Sequence, residues 1–328
     1  MRSQKKLGFV LIVATVLAVW GCSHGPSGQT SEASSSAASA LASFLGRWDI
    51  TIKTPKGDLP SWIEVSEDQG QPKVLMVGVS DHATPLSQVK LNGNQLEFLS
   101  PKGEEGFGQD TLFKGQAAGD QLEGTASGPG GASWTWTASK APTFEEQAPP
   151  KWGKPIRLFN GRNFNGWRFK NPSAAKVWKV ENHEMVKNGS GSEIITTSKF
   201  KDFKLHVEFN CGPMSNSGVY LRGRYEVQIE TDSASEPPSH HTAGVYGFLA
   251  PSPEQPRKSN VWQSFDITLV GRTVTVVQNG VTVIDHQEIP GITGGALDSD
   301  EGAPGPIYLQ GTEKGRVAFR NIVITPAM

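Results

Sequence analysis

The stretch Gly218–Glu230, GVYLRGRYEVQIE, carries the clearest structural signal in the chain. Val219, Leu221, Tyr225, Val227 and Ile229 are apolar, and Arg222, Arg224, Glu226, Gln228 and Glu230 alternate with them. A period of two marks a strand that buries one face and leaves the other to water. Gly223 interrupts the run. A bulge or hairpin turn there would reset the alternation and put Arg222 on a different face from Glu226. A solvated face uses Thr, Ser and Lys freely, so a row of Arg, Glu and Gln asks for a reason. The plain reading is Arg and Glu cross-pairing on a wet sheet, worth roughly a few tenths of a kcal/mol per pair.

The same signal recurs outward from this stretch. VWKVENHEMVK, SEIITTS, DFKLHVEFN, QSFDITLVGRTVTVVQNGVTVIDH and GRVAFRNIVIT read as further strands, with hairpins at Asn182-His183 and Asn279-Gly280. Residues 156–328 therefore predict two stacked antiparallel sheets, a jelly-roll sandwich. The irregular segments 231–260 and 288–306 belong at strand ends, where loops of that length usually carry function or are disordered.

Residues 43–141 predict a second all-β unit. Its turns are marked by Asn92-Gly93-Asn94, Ala118-Gly119-Asp120 and the glycines at 128, 130 and 131. No window holds a helical period, and an up-and-down antiparallel barrel is the natural solution because closure removes exposed edges. Gly46-Arg47-Trp48 resembles the short entry motif of lipocalin-like barrels. Such a barrel either binds a ligand inside or packs on its neighbour as an accessory module. Residues 142–155, with Pro149-Pro150, read as a stiff Pro-rich linker.

The chain opens with Arg2, Lys5 and Lys6, followed by an apolar run from Leu7 to Trp20. That run is too short for a spanning helix, which needs about 20 residues, and residues 1–21 read as a signal peptide. It ends in Val19-Trp20-Gly21-Cys22, which resembles a bacterial lipobox, so Cys22 is the expected lipidation site. The alternative is a cleaved leader with an incidental cysteine. Residues 22–42 are rich in Ser, Ala and Gly, cannot bury a core, and would reach roughly 25 Å as a flexible tether. Export to the cell envelope follows, at the outer membrane or in the periplasm, with a membrane contact made through the lipid.

Composition narrows the function classes. The formal net charge is −1, and no basic cluster suggests nucleic acid. Apart from Cys22 the only cysteine is Cys211, so no intramolecular disulfide is expected in the mature chain. Neither a zinc-type H-E-x-x-H nor a phosphate-binding glycine loop occurs.

LFNGRNFNGWRF, VWKVENHEMV, FKDFKLHVEFN, NSGVYLRGRYEVQI, AGVYGFLAP, VVQNGVTVID and GPIYLQGTEKGRVAFRNIVI follow one another in this order between residues 156 and 325. Together they resemble the successive blocks of the 3-keto-disaccharide hydrolase domain family. The resemblance implies a concanavalin-like jelly roll and action on 3-keto-glycosides made by a separate sugar oxidoreductase. Two positions depart from the family pattern. His183 stands where a turn glycine is usual, and Gly311-Thr312 stands where His-Gly commonly follows LQ.

A ketone at C3 acidifies the hydrogen on C2. A base can then remove it, the C1 aglycone leaves by elimination, and water adds back. This route needs one base within reach of C2–H and a donor or cation near the C3 oxygen, in place of the carboxylate pair of ordinary glycosidases. On the row, Glu226 is the expected base or metal ligand and Arg222 the enolate stabiliser; a divalent metal ion could serve in its place. Gln228, Arg224, Asn216, Asp232 and His241 are the expected substrate contacts. Of the adjacent pair His240-His241 at most one would face a site. Trp167, Trp178 and Trp262 are expected in the core, and His206 as a satisfied sheet residue. The competing function, from another class, is a carbohydrate-binding lipoprotein on the same sandwich without catalysis.

Overall fold

The computed structural model describes residues 39–106, 108–144, 149–189, 193–231, 235–311 and 315–328. The leader, Cys22 and most of the tether lie outside these residues, as do Asp232 and Thr312. Among the described residues no helix is long and apolar enough to cross a membrane.

The fold is all-β. The first unit contains β1 (Gly46–Thr54), β2 (Gly57–Asp68), β3 (Gln71–Val77), β4 (Ala83–Pro85) and β5 (Val89–Asn92). It continues with β6 (Gln95–Ser100), β7 (Thr111–Ala118), β8 (Gln121–Ser127) and β9 (Ser133–Lys140). These form one antiparallel sheet in the order β4-β3-β2-β1-β9-β8-β7-β6-β5, so the first and last strands pair and the sheet ends at β4 and β5. The turn glycines close the hairpins where the sequence places them, with Asn92 opposite Gln95 and Ala118 opposite Gln121. Alternate residues Trp48, Ile50 and Ile52 face inward with Phe98, Phe113 and Trp136, whose rings pack on one another. The inside of this curled sheet is therefore occupied by its own side chains.

The second unit holds β10 (Ile156–Arg157), β11 (Trp167–Phe169), β12 (Trp178–Glu181), β13 (Glu184–Asn188) and β14 (Ile194–Thr196). Next come β15 (Phe203–Cys211), β16 (Asn216–Leu221), β17 (Tyr225–Glu230) and β18 (Gln263–Val270). β19 (Thr273–Gln278), β20 (Val281–Glu288), β21 (Tyr308–Leu309) and β22 (Arg316–Pro326) complete it. The larger sheet runs β12-β13-β22-β15-β18-β19-β20, with β10 also beside β22, and the smaller runs β11-β14-β21-β16-β17. Phe203, Leu205, Val207 and Phe209 of β15 share one core with Val219, Leu221, Tyr225, Val227 and Ile229 of the smaller sheet. The period-two pattern of each strand thus builds the interior of a two-sheet sandwich.

Trp167 and Trp178 are buried in that core. Trp262 is not: it is half-buried outside the core cluster, with the Arg320 guanidinium 3.9 Å from its ring centroid. His206 places Nδ1 2.7 Å from Asp266 Oδ1 on a neighbouring strand.

The two units meet along a mixed seam. Trp62 of β2 is fully buried and belongs to the sandwich's hydrophobic cluster, edge-on to Phe248 at 5.7 Å. Val79 accepts a backbone bond from Gly295, and Thr51 Oγ1 lies 2.7 Å from Ser299 Oγ. Below them Arg272 bonds Glu301 and Glu288, and Arg47 of β1 reaches the same Glu288.

Candidate active site on the smaller sheet

The β16–β17 hairpin turns at Arg222-Gly223, both with positive φ (52° and 70°), and closes with Leu221 opposite Tyr225. This turn resets the alternation. Val219, Leu221, Tyr225, Val227 and Ile229 still point into the core, but every residue of β17 is buried, so its polar face is covered as well. The cover comes from two segments. Residues 242–246 run along the free edge of β17, bridging Val227 to Val245, and Thr293 Oγ1 accepts from the Glu226 N–H at 3.0 Å. The expectation of one wet face is corrected: the sequence shows which residues share a face, while segments remote in sequence decide whether water reaches it.

Across the sheet the polar face forms one row. Arg168 stands opposite Ile195, Ile195 opposite Tyr308, Tyr308 opposite Tyr220, and Tyr220 opposite Glu226. The bridge at Val227 continues the register, so Tyr246 comes next, its N–H bonded to the Glu226 carbonyl at 3.0 Å. Directly opposed residues in a sheet have Cβ atoms about 5 Å apart, which makes these side chains true neighbours. The Tyr220 and Tyr308 rings stack at 4.1 Å between centroids.

Glu226 is 3% exposed. Its carboxylate lies over Gly218, where a Cβ would come within 2.0 Å of Oε1, so any side chain at 218 would displace it. Oε2 is 2.8 Å from the Tyr220 hydroxyl, and Oε1 is buried with no hydrogen-bond partner among the described residues. Burial pushes its pKa up to about 8, against the Tyr220 hydrogen bond, which lowers it. The Tyr220 oxygen is also 2.8 Å from the Gly294 carbonyl. A hydroxyl has one proton, so both contacts are hydrogen bonds only when Glu226 is protonated and donates to Tyr220. Ionising Glu226 draws the tyrosine proton to the carboxylate and leaves the Gly294 carbonyl without it.

The other expected residues go elsewhere. Arg222 is fully buried on the opposite, core-facing side: Nη2 donates to the Tyr225 hydroxyl (3.1 Å) and the Gly271 carbonyl (2.6 Å), and the guanidinium lies 5.4 Å from the Phe144 ring centroid. It cannot meet an enolate formed beside Glu226, because the turn at Gly223 separates the two faces. Arg224 pins the covering segment, bonding Asp298 Oδ1 at 2.6 Å and the Ala303 carbonyl at 2.9 Å. Gln228 shares the Glu226 face, and its Oε1 accepts from the Ile229 N–H. Asn216 is on that face too, exposed at its far end opposite Glu230. His241 is turned away, its Nδ1 3.1 Å from Glu254 and its Nε2 3.1 Å from the Glu236 carbonyl. Its neighbour His240 faces the site instead, 4.4 Å from the Tyr246 ring. Among the described residues no group of three or more His, Cys, Asp or Glu is arranged to hold a metal ion.

Sequence reading missed Tyr220, Tyr308 and Tyr246, because it counted the apolar face and looked for charge on the other. The hairpin register, with its turn at Arg222-Gly223, was the available signal for Tyr220.

A 3-keto-disaccharide hydrolase of Bacteroides thetaiotaomicron is 23% identical over 167 residues, covering 40% of this chain and 58% of that one. The chain thus matches little more than half of that relative's length. Two crystal structures of candidate glycosyl hydrolases from Parabacteroides distasonis are also similar. One is 29% identical, covering 56% of this chain and 93% of its own, and the other 21% identical, covering 53% and 94%; both have a TM-score of 0.44. The family model for the 3-keto-alpha-glucoside-1,2-lyase-like domain matches residues 154–325, which is more than half of the chain. By that match, the chain belongs to the 3-keto-alpha-glucoside-1,2-lyase-like domain family.

Proposed function

We propose that this protein cleaves the glycosidic bond of 3-keto-glycosides, with Glu226 as the base that removes the C2 proton. One observation carries the reading: a buried carboxyl with one oxygen held by Tyr220, the other without a partner among the described residues, and a pKa raised to about 8. A carboxylate of ordinary acidity is a weak base toward a carbon acid. Desolvation makes this one stronger while still leaving an ionised fraction near neutral pH. Removal of the C2 proton forms an enolate, the C1–O bond breaks, and the aglycone departs. Tyr220, whose proton is freed from the carboxylate as Glu226 takes up the C2 proton, and Tyr308, next in the row, take the donor role that the sequence assigned to Arg222. Both titrate well above the ordinary tyrosine range because they are buried, so both keep their protons to donate.

The test is isotopic. Cleavage of a 3-keto-glucoside in heavy water should give a sugar carrying deuterium at C2, and the parent glucoside should be untouched. A product without deuterium at C2 would mean that the C1–O bond breaks by a different route. A separate oxidoreductase would supply the ketone, since the unoxidised sugar has no acidic C2 proton. The lipobox-like end at Cys22 further supports a lipid-anchored envelope protein. Palmitate labelling that is lost in Cys22→Ser, with the protein released to the soluble fraction, is the expected result.

A further inference from the structure

The row that contains Glu226 does not end at Tyr246. His240 closes the short 3-10 turn Pro238–His240 and is 5% exposed. Its Nδ1 lies 3.3 Å from Glu236 Oε2, which sets the Nδ1–H tautomer and leaves Nε2 as the bare acceptor. That Nε2 is buried and has no hydrogen-bond partner among the described residues. Beyond it stands a residue of the other unit. His82, on the segment between β3 and β4, lies 4.8 Å from the His240 ring and 6.5 Å from Tyr246, with Nδ1 2.6 Å from Asp81 Oδ1. It can stand there because position 247 is glycine: a Cβ on Gly247 would come within 2.8 Å of the His82 Cβ. Two carboxylate-oriented imidazoles, one from each unit, thus flank one tyrosine of the Glu226 row.

The reading above leaves one step without a group. Elimination yields an unsaturated ketone, with a C1=C2 double bond conjugated to the C3 carbonyl, and Glu226 holds the proton from C2. Addition of water to C1 then needs a second base. We propose that His240 is that base, and that His82 of the N-terminal sheet is a positioning residue that holds its ring in place. This rests on the proposed elimination. In the step, a water O–H bond breaks, its oxygen bonds to C1, and its proton passes to His240 Nε2. The C1=C2 electrons move into the C2–C3–O enolate, and C2 takes a proton from Glu226, whose carboxyl proton has exchanged with solvent since the elimination. The departed aglycone anion takes a proton from solvent, and His240 returns one to solvent, so charge and atoms balance. Burial lowers the pKa of His240, with Glu236 opposing, so the neutral acceptor form prevails near pH 7. The titratable groups around this pair are Asp81, Glu104, Glu236 and Tyr246, with Glu226 on the far side of Tyr246. On this account, whether the protein delivers a hydrated sugar or an unsaturated ketone is decided at His240.

The experiment follows aglycone release and the unsaturated ketone together, by ultraviolet absorbance and proton NMR. It compares wild type, His240→Gln and His82→Ala acting on a nitrophenyl 3-keto-glucoside. Wild type should give hydrated sugar in step with aglycone. In His240→Gln hydration should fall roughly 10²-fold, more than release does, so that the ketone accumulates; His82→Ala should lie between the two. Hydration that keeps pace with release in both variants overturns the proposal while the elimination stands. Wild type that itself stops at the unsaturated ketone also overturns it. No release by wild type sinks the elimination and this inference with it. Should His240→Gln not fold, His82→Ala alone decides: product partition is a ratio that a merely structural loss would not move.

Discussion

The two faces of the β16–β17 hairpin carry the same residue types to opposite ends. On the core-facing side, Arg222 donates to Tyr225, whose hydroxyl donates to Glu301 at 2.8 Å, and Arg272 bonds the other oxygen of Glu301. Asp49 of the N-terminal sheet joins them, its pKa raised to about 9 by burial and by the charge of Glu301. Cations and anions compensate each other there, and the network ties the two units together. Among the described residues, Glu226 on the opposite face has no cation beside it: one carboxyl oxygen meets the Tyr220 hydroxyl and the other has no hydrogen-bond partner. The lesson is that a buried carboxylate becomes a reagent when no cation neutralises it, and a clamp when one does.

That contrast can be broken from either side. Glu226→Gln should have the largest effect on turnover, a loss of roughly 10³-fold in aglycone release, with the fold retained because the amide is isosteric. Arg222→Met should do the reverse. It breaks a buried network at a cost of about 3 kcal/mol in urea denaturation, while turnover per folded molecule changes only a few-fold. If Arg222→Met abolishes turnover at unchanged stability, the two faces are not separate.

The Glu226 site should also show in stability against pH. Its folded pKa lies above the unfolded value, so the folded state binds more protons between the two. Stability should fall as pH rises from about 4.5 to about 8, by at most on the order of 5 kcal/mol. Glu226→Gln should flatten the curve across that window. Tyr220→Phe should reduce turnover by a smaller factor, about tenfold, and move the rise of kcat/KM to higher pH, because the lost hydrogen bond favoured the ionised carboxylate. The smallest effect is expected from Asp49→Asn at pH 7. Asp49 is already protonated there, so stability should change by less than about 1 kcal/mol, and calorimetry would detect a larger loss.

Much of the fold was legible because alternation and turn chemistry are local. The hairpins at Asn182-His183, Asn279-Gly280, Gly93-Asn94 and Gly119-Asp120 stand where their residues put them. Glu226 could be picked from the alternating row in the same way. Its setting could not, since the 242–246 edge, Thr293 and Gly294 come from segments remote in sequence. Arg222 failed for a physical reason already visible at Gly223: a turn changes the face. His240 and His241 could not be told apart from sequence, because a 3-10 turn, not a strand, sets where each ring points. The contribution of His82 was hidden most deeply, since it lies in the other unit and reaches the row only through the seam.

The most direct test of the central claim is the pH dependence of kcat/KM for wild type and Glu226→Gln on a chromogenic 3-keto-glucoside. Wild type should cleave the oxidised substrate alone, with a rate that rises through neutral pH and has its midpoint near 8 as Glu226 ionises. The variant should be inactive throughout. Activity that survives in Glu226→Gln, or a wild-type rate that is flat from pH 6 to 9, would contradict the assignment of this carboxylate as the base.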